Sequence, residues 1–407
     1  MGYIAVDNLK QGMVLSEDVR DINTRLLLSK GQKIDAQHIR VLRIWGVMEV
    51  GIVGPEVDTP AVLPAADSEA AQEAKRRIGR VFKNLDLKHS MVNEICHASL
   101  VSRIQGDFAS PPDFAYQSDP TPGTLSTPEQ IRRQIQKIDV QLPEAPTIIE
   151  DLNNVIGDPF ATSNDVAKVV SRSPSLTAQL LRIVNSAYYG FPSKIDRISR
   201  AVTIIGTKEI SGLALGISVM QAFADIPRQI IDMQAFIRHS LACGMIARIL
   251  AALKNMQQTE QLFVSGLLHD IGKLVVFKYY PEYAKAYLHL AATSGSCVFD
   301  TEKAVIGMNH TNVGQSLLER WKLPADLSNN VVFHHAPSRA SDPEPAGIIQ
   351  LADLIAHGLG VGASGEISVP GFDYGVWEKL GIPAPSIRTV IRQAVHQLGP
   401  MEAIFNG

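Results

Sequence analysis

The stretch Gly266-Leu267-Leu268-His269-Asp270-Ile271-Gly272-Lys273 places an imidazole, a carboxylate and an amine in one apolar segment. Residues 262–264 and 274–277 flank it and are also apolar. Because hydrophobic residues fall on every side of the projected helix, we expect this segment to be buried. A buried, ionised Asp270 is costly unless it is paired or binds a metal. The sequence therefore favours a metal site here over a strained core.

Further residues of metal-binding type occur in apolar surroundings elsewhere in the second half of the chain. They are His239, which opens an apolar helix, His310 near a predicted helix start, the pair His334-His335 after an apolar run, and Asp353 inside an apolar helix. Neutral imidazoles and carboxylates on separate rigid helices make a mixed nitrogen and oxygen donor set. Such a set suits one or two divalent ions of iron, manganese, zinc, nickel or cobalt.

The other histidines have simpler interpretations. A lone histidine on an apolar face is more often a satisfied core or surface residue than a ligand. The histidines that lack neighbouring ligands or fall outside the pattern are His89, His97, His289, His357 and His396. We assign none of them a role.

Composition excludes several classes of protein. The chain has 407 residues, 45% of them hydrophobic and 19% charged, which is enough to bury a large core and suggests more than one domain. A net charge of −3 and a pI near 6.4 give no basic surface for nucleic acid and no polybasic signal for a membrane. We therefore expect no nucleic-acid partner and no membrane partner.

The cysteines and the N-terminus indicate a cytoplasmic protein. Cys96, Cys243 and Cys297 are scattered, and we interpret them as reduced packing thiols. The first residues lack the basic head and apolar run of a signal peptide. The most apolar segment, residues 210–224, is too short to span a bilayer.

Turn signals and composition divide the chain into four parts. Residues 1–56 alternate β-forming runs with turns and predict a small β-rich module containing one helical piece. Residues 57–105 begin with a proline-rich link and continue as two helices, either a tether or a dimerising hairpin. Residues 106–128 are rich in Pro, Gly and Ser and predict a flexible linker. Residues 129–407 carry closely spaced helix starts, so the predicted fold class is mainly α.

Several motifs in residues 135–362 carry a family resemblance. They are Leu142-Pro143-x-x-Pro146, Ser173-Pro174-Ser175-Leu176, Leu180-Leu181-Arg182-Ile183-Val184-Asn185-Ser186-Ala187-Tyr188-Tyr189-Gly190 and Ala201-Val202-Thr203-Ile204-Ile205-Gly206. These motifs resemble the HDOD domain of bacterial signalling proteins, and residues 9–47 resemble a module found ahead of HD-GYP domains. The polar pair Asn185-Ser186 lies in an apolar helix, so its side chains need hydrogen-bond partners inside the protein.

The order of histidines and acids resembles the HD phosphohydrolase superfamily. That resemblance implies that His239, His269, Asp270 and Asp353 hold one metal. It also implies that Asp270 bridges to a second metal, completed by His310 with His334 or His335. Asp270 would then be catalytic in a hydrolase. Lys273 lies at i+3 from Asp270 and would either contact a substrate phosphate or form a buried ion pair.

The chain departs from the HD-GYP phosphodiesterases that hydrolyse cyclic di-GMP. These enzymes carry a Gly-Tyr-Pro loop soon after the paired histidines, where this chain reads Ala336-Pro337-Ser338-Arg339. The acid that precedes the first histidine by one turn in some relatives is Ala235 here. The resemblance therefore does not extend to a third metal or to that substrate.

Our leading hypothesis is a signal-transduction regulator whose metal site is structural or ligand-sensing. The alternative is a metal-dependent phosphohydrolase or phosphodiesterase acting on a nucleotide or cyclic dinucleotide. A protein-binding scaffold without metal is a third class. A nucleotide or other phosphate-containing ligand, a signalling protein and a second copy of the chain remain open as partners.

Overall fold

The computed structural model describes residues 2–6, 9–20, 26–44, 47, 49–53, 69–108, 145–158, 160–185, 191 and 193–405. The predicted linker (residues 106–128) lies outside this set from residue 109 onward, as do the Pro-rich link at 55–67 and residues 186–190 of the predicted family motif.

The N-terminal residues form short antiparallel ladders around one helix. Strand β1 (Gly2–Ala5) pairs with β4 (Glu49–Ile52), and β2 (Val19–Arg20) pairs with β3 (Leu26–Leu28). Helix α1 (Ala36–Ile44) lies between β3 and β4 in the chain. Leu15, Ile34 and Leu42 are buried in a small core of their own. Helix α1 corresponds to the one helical piece that the sequence predicts in residues 1–56, whereas the likeness to the module found ahead of HD-GYP domains stays a prediction.

Helices make up the rest of the described chain, and no strand occurs among the described residues after Val53. They are α2 (Glu69–Val81), α3 (Ser90–Gln105), α4 (Thr147–Gly157), α5 (Ser163–Ser171), α6 (Pro174–Val184), α7 (Ile198–Ile205), α8 (Thr207–Gln221), α9 (Met233–Leu253), α10 (Thr259–Leu268), α11 (Ile271–Tyr279), α12 (Pro281–Ser294), α13 (Val298–Ile306), α14 (His310–Arg320), α15 (Ala325–Val332), α16 (Pro343–Leu359), α17 (Tyr374–Leu380) and α18 (Ser386–Phe405). The protein is mainly α, as predicted.

Capping explains several of the helix starts. Thr162 and Asp165 form a reciprocal capping box at α5, and Ser173 caps α6, whose first residue is Pro174. Asp232 accepts backbone hydrogen bonds at the start of α9. These polar residues satisfy N–H groups that lack partners within the helix.

Helix α9 is the central element of the helical core. It packs against α10, α16 and α18. By length and composition alone it could span a membrane, but 72% of its most apolar window is buried inside the protein. Its hydrophobic surface is therefore covered by other helices of the same chain.

Helices α2 and α3 pack directly on the helical core. They contact each other and α16, and α3 also contacts α18. Phe82, Met91 and Ile95 are buried in the same cluster as the residues of α9 and α16. The helical part of the predicted tether thus joins the large core, while the positions of the predicted domain boundaries stay a prediction.

Candidate metal centre

The His269-Asp270 pair lies at a break between two helices. We expected one continuous buried helix, but α10 ends at Leu268 and α11 begins at Ile271. The carbonyl of Gly266 accepts a hydrogen bond from Nδ1 of His269 at 2.7 Å. His269 keeps right-handed helical backbone angles, whereas Asp270, with φ of −98° and ψ of 13°, departs from them and precedes α11.

Two glycines on either side of the pair let the helices approach closely. A Cβ added at Gly266 would lie 2.7 Å from the Cα of Gly244 on α9. A Cβ added at Gly272 would lie 1.9 Å from the carbonyl oxygen of His310. Because neither position has room for a side chain, glycine is required for α10 to contact α9 and for α11 to contact α14.

All seven predicted metal ligands come together in one buried cluster. Its six most buried members are between 0% and 5% exposed, and the set is His239, His269, Asp270, His310, His334, His335 and Asp353. We call Asp270, His310, His334 and His335 the Asp270 side, because their donor atoms lie within 4.8 Å of one another. We call His239, Asp353 and His357 the Asp353 side, which meets the same criterion. His269 lies between the two sides.

The donor atoms converge on two carboxylates. Asp353 Oδ1 lies 3.1 Å from Nε2 of His239 and 3.4 Å from Nε2 of His269. Asp270 lies 3.3 Å from Nε2 of His269 through Oδ2, and 3.2 Å from Nε2 of His310 through Oδ1. The residues that the sequence separates by more than one hundred positions therefore form one donor set.

Three imidazoles donate their Nδ1–H away from the cluster. His269 donates to the Gly266 carbonyl at 2.7 Å, and His334 donates to the Val331 carbonyl at 2.6 Å. His310 donates to Oε2 of Glu302 at 2.7 Å. Histidine ligands of metals use their second nitrogen in this way, which fixes the ring and exposes the Nε2 lone pair.

These lone pairs have no hydrogen-bond donor among the described residues. Nε2 of His269, His310, His334 and His335 is buried and unpartnered, as is Oδ1 of Asp270. In neutral histidines, Nε2 and a carboxylate oxygen are both acceptors, so they repel at about 3 Å unless a proton or a cation lies between them. The donor set and its unpaired atoms therefore fit a divalent transition metal.

The charge states of the ligands suit metal binding. Burial, together with neighbouring imidazoles, lowers the pKa of His239 to about 4 and that of His334 to about 3, so both stay neutral near pH 7. Burial alone would raise the pKa of Asp270, but His269 and Lys273 hold it well below its usual value. His269 differs from these two histidines: burial alone would lower its pKa, but Asp270 raises it well above its usual value. A metal bound at His269 would therefore displace a proton, because ligating imidazoles are neutral.

Lys273 is occupied by a buried ion pair. Its Nζ donates to Oδ2 of Asp270 at 2.9 Å and lies 3.8 Å from Oε2 of Glu366. Burial would lower the pKa of Lys273, but the charges of Asp270 and Glu366 raise it above its usual value. With 1% of its surface exposed, Lys273 adopts the structural alternative that the sequence left open.

The structure adds residues that we did not select from the sequence. Glu302 holds His310 through both its ring and its backbone N–H, and Glu366 shares Lys273 with Asp270. His357, to which we gave no role, has Nε2 3.2 Å from Oδ1 of Asp353. His357 follows Asp353 by four residues in an apolar helix, and this spacing alone indicates that the two side chains share one helix face. Nothing in the sequence around Glu302 marks it.

A narrow crevice leads toward the cluster. It is lined by His335 and Asp353, by Leu85 before α3, and by residues 369–372 of the loop after α16. Its cavity volume is about 10 Å³, on the order of the space for one water molecule.

Asn185 meets the expectation for a polar residue at the end of an apolar helix. Its side-chain amide donates to the carbonyls of Leu181 and Ile195, at 2.8 and 2.7 Å, and its Oδ1 accepts from the Ile195 backbone at 2.6 Å. Asn185 therefore ties α6 to the segment that leads to α7, which is a structural role.

A family model matches part of the chain. The model of the HDOD domain matches residues 142–337. An uncharacterized protein of Treponema pallidum (strain Nichols) is 27% identical over 199 residues, which covers 48% of this chain and 37% of that protein. The alignment thus spans little more than a third of this relative.

Solved structures share the fold. An HDOD domain protein of unknown function from Geobacter sulfurreducens has a TM-score of 0.50 at 19% identity and covers 66% of this chain and 98% of its own. A proposed metal-dependent phosphohydrolase from Shewanella amazonensis SB2B has a TM-score of 0.50 at 19% sequence identity, and the match covers 68% of this chain and 99% of that protein. A proposed signal transduction protein from Marinobacter aquaeolei VT8 has a TM-score of 0.50 at 20% sequence identity, and the match covers 75% of this chain and 72% of that protein. At these identities the likeness concerns the fold alone.

Proposed function

This chain is an HDOD-domain protein, and from that premise we propose that it is a bacterial-type signal-transduction regulator that binds a divalent transition metal. One or two ions would be held by His239, His269, Asp270, His310, His334, His335 and Asp353. The observation that carries the proposal is the convergence of buried, unpartnered Nε2 atoms on two carboxylates. A cytoplasmic location and a signalling partner belong to the same proposal.

The metal would have a structural or ligand-sensing role. Structural sites are closed by protein ligands, whereas catalytic sites keep a position open for water or substrate. The cluster is buried and its crevice has room for about one water molecule. Lys273, which could have met a substrate phosphate, is bound to Asp270 instead. These features favour a regulator over a hydrolase.

The alternative is a metal-dependent phosphohydrolase or phosphodiesterase acting on a nucleotide or cyclic dinucleotide. It is favoured by the presence of every ligand position that the superfamily resemblance implies, gathered in one cluster. Bound ions would supply Lewis acidity toward a phosphate ester.

One experiment separates these functions. The full-length protein and its Asp270→Ala variant are purified, their metal content is measured by elemental analysis, and hydrolysis of bis(p-nitrophenyl) phosphate is assayed. Asp326→Ala, which removes an exposed carboxylate on α15, serves as the control. We expect metal in the wild type and the control, only background metal in Asp270→Ala, and no turnover in any of them.

Other outcomes would redirect the proposal. Turnover that disappears in Asp270→Ala and persists in Asp326→Ala would establish the hydrolase. A wild-type protein without metal and without turnover would be a protein-binding scaffold and would contradict both metal-dependent functions. Circular dichroism of each variant shows whether Asp270→Ala retains its helices.

A further inference from the structure

His357 lies on the same helix face as a predicted metal ligand. It follows Asp353 by four residues on α16, and residues at this spacing are neighbours on a helix surface. Nε2 of His357 lies 3.2 Å from Oδ1 of Asp353. The rings of His357 and His239 are 4.4 Å apart between centroids. His357 therefore belongs to the Asp353 side in space.

We propose that His357 is a metal ligand, which together with His239 and Asp353 holds a divalent cation on the Asp353 side of the cluster. This inference rests on the metal site proposed above and adds a residue to it. The three donor atoms lie within 4.8 Å of one another, and two of the pairs are 3.1 and 3.2 Å apart. Donors that share one ion with bonds of about 2.0–2.2 Å are at most about 4.4 Å apart.

The competing explanation is that His357 only donates a hydrogen bond to Asp353. Oδ1 of Asp353 is approached by His239, His357 and His269 together. The Nδ1–H of His269 is given to the Gly266 carbonyl, so a network of hydrogen bonds alone requires His269 to carry a second proton, on Nε2. A cation beside Asp353 would bind the carboxylate and the same imidazole nitrogens without that proton.

The helix end that carries His357 is held in place. The Arg103 guanidinium donates to the carbonyl of Gly358 at 2.6 Å through Nε and to that of His357 at 2.8 Å through Nη2. Gly360 ends α16 with φ of 76°, a conformation that glycine adopts readily. Orientation of a ligand before metal binding limits the ordering cost of binding. Arg103 is thus a positioning residue for this side.

The test is Co²⁺ binding by His357→Gln in the full-length protein. Glutamine keeps an N–H donor for Asp353 but removes the imidazole nitrogen, so it separates a hydrogen-bond partner from a ligand. His97→Gln, at an exposed position of α3, is the matched control. Metal is removed by a chelator, Co²⁺ is titrated back, and visible absorption and bound cobalt are measured.

We expect wild type and His97→Gln to bind Co²⁺ alike. In His357→Gln, at least one bound ion should be held about tenfold more weakly or lost, since even residues that only support a ligand contribute this much. Equal binding by His357→Gln and wild type would overturn the role of His357 and leave the proposed metal site intact. A wild-type protein that binds no Co²⁺ would overturn the metal site itself. If His357→Gln loses its helical circular dichroism, His357→Asp takes its place, because aspartate restores an oxygen ligand. We then expect His357→Asp to bind Co²⁺. A folded His357→Asp that does not bind Co²⁺ would also overturn the role of His357 as a ligand.

Discussion

The Asp270 side and the Asp353 side of the candidate metal centre are positioned by different means. On the Asp270 side, the rings of His310 and His334 are fixed by Glu302 and by the Val331 carbonyl. On the Asp353 side, Nδ1 of His239 is buried without a partner. That side depends instead on α16, whose C-terminal carbonyls are held by Arg103.

The two sides also differ in how they relate to the matched family segment. All candidate ligands of the Asp270 side lie within residues 142–337, whereas Asp353 and His357 lie beyond them. Arg103 precedes the segment by about forty residues of sequence and contacts α16 directly. The matched segment therefore contains only part of the candidate site. Helices α3 and α16, one on each flank of that segment, contact each other beside the Asp353 side.

The largest effect should follow from Lys273→Met, which removes the cation between Asp270 and Glu366. Leaving a buried charge without its partner costs about 3–5 kcal/mol. We expect the metal-free protein to lose roughly this much stability and the metal-loaded protein less, because a bound cation replaces part of the lost charge. Urea unfolding with and without Co²⁺ measures both values.

Lys168→Met is the matched control for that experiment. Lys168 and Asp165 have the same i, i+3 spacing but are 65% and 44% exposed. Surface pairs of this kind contribute about 0–1 kcal/mol. Equal losses in Lys273→Met and Lys168→Met would show that the ion pair of Lys273 is not the buried, energetically coupled pair described above.

Glu302→Gln should weaken the Asp270 side by an intermediate amount. The neutral amide of glutamine accepts hydrogen bonds from the ring Nδ1–H and the backbone N–H of His310 more weakly than the Glu302 carboxylate does. Loss of such a supporting group lowers metal affinity by about 10–100-fold. We expect the Asp353 side to be less affected. Co²⁺ titration compares the variant with Glu319→Gln, an exposed residue on α14. Unchanged affinity would mean that His310 needs no support.

Arg103→Lys should have the smallest effect and should act on the Asp353 side. Lysine keeps the charge but loses the planar fork that reaches two carbonyls. Loss of one hydrogen bond costs about 1 kcal/mol, which corresponds to about fivefold in affinity. Arg80→Lys, at an exposed position on α2, is the control. An equal loss on both sides in the Co²⁺ titration would remove the distinction drawn between them.

Sequence patterns predicted most of the helical fold and selected seven candidate ligands that the structure places in one cluster. Residue type was informative because charged and imidazole side chains in apolar helices need partners. The break between α10 and α11 was not predictable from hydrophobicity, since residues on both sides of it are buried.

Supporting contacts were harder to predict. Glu302 lies in an amphipathic stretch that looks like any solvent-facing helix, and it becomes a partner of His310 only when α13 packs near α14. His357 is a single histidine in an apolar helix, and such a histidine is more often a core or surface residue than a metal ligand. The contact between Arg103 and α16 joins residues 254 positions apart. Such contacts depend on tertiary packing that local patterns do not encode.

The donors that close helix packing brings together have a consequence for which ions the centre can accept. At the contact of Gly272 with the His310 carbonyl, main chain meets main chain with no intervening side chain, so α11 and α14 cannot approach more closely. The donors that the helices bring to the candidate centre are mostly imidazole nitrogens. The centre should therefore hold first-row cations and reject calcium, which needs longer bonds and more oxygen atoms than these residues present.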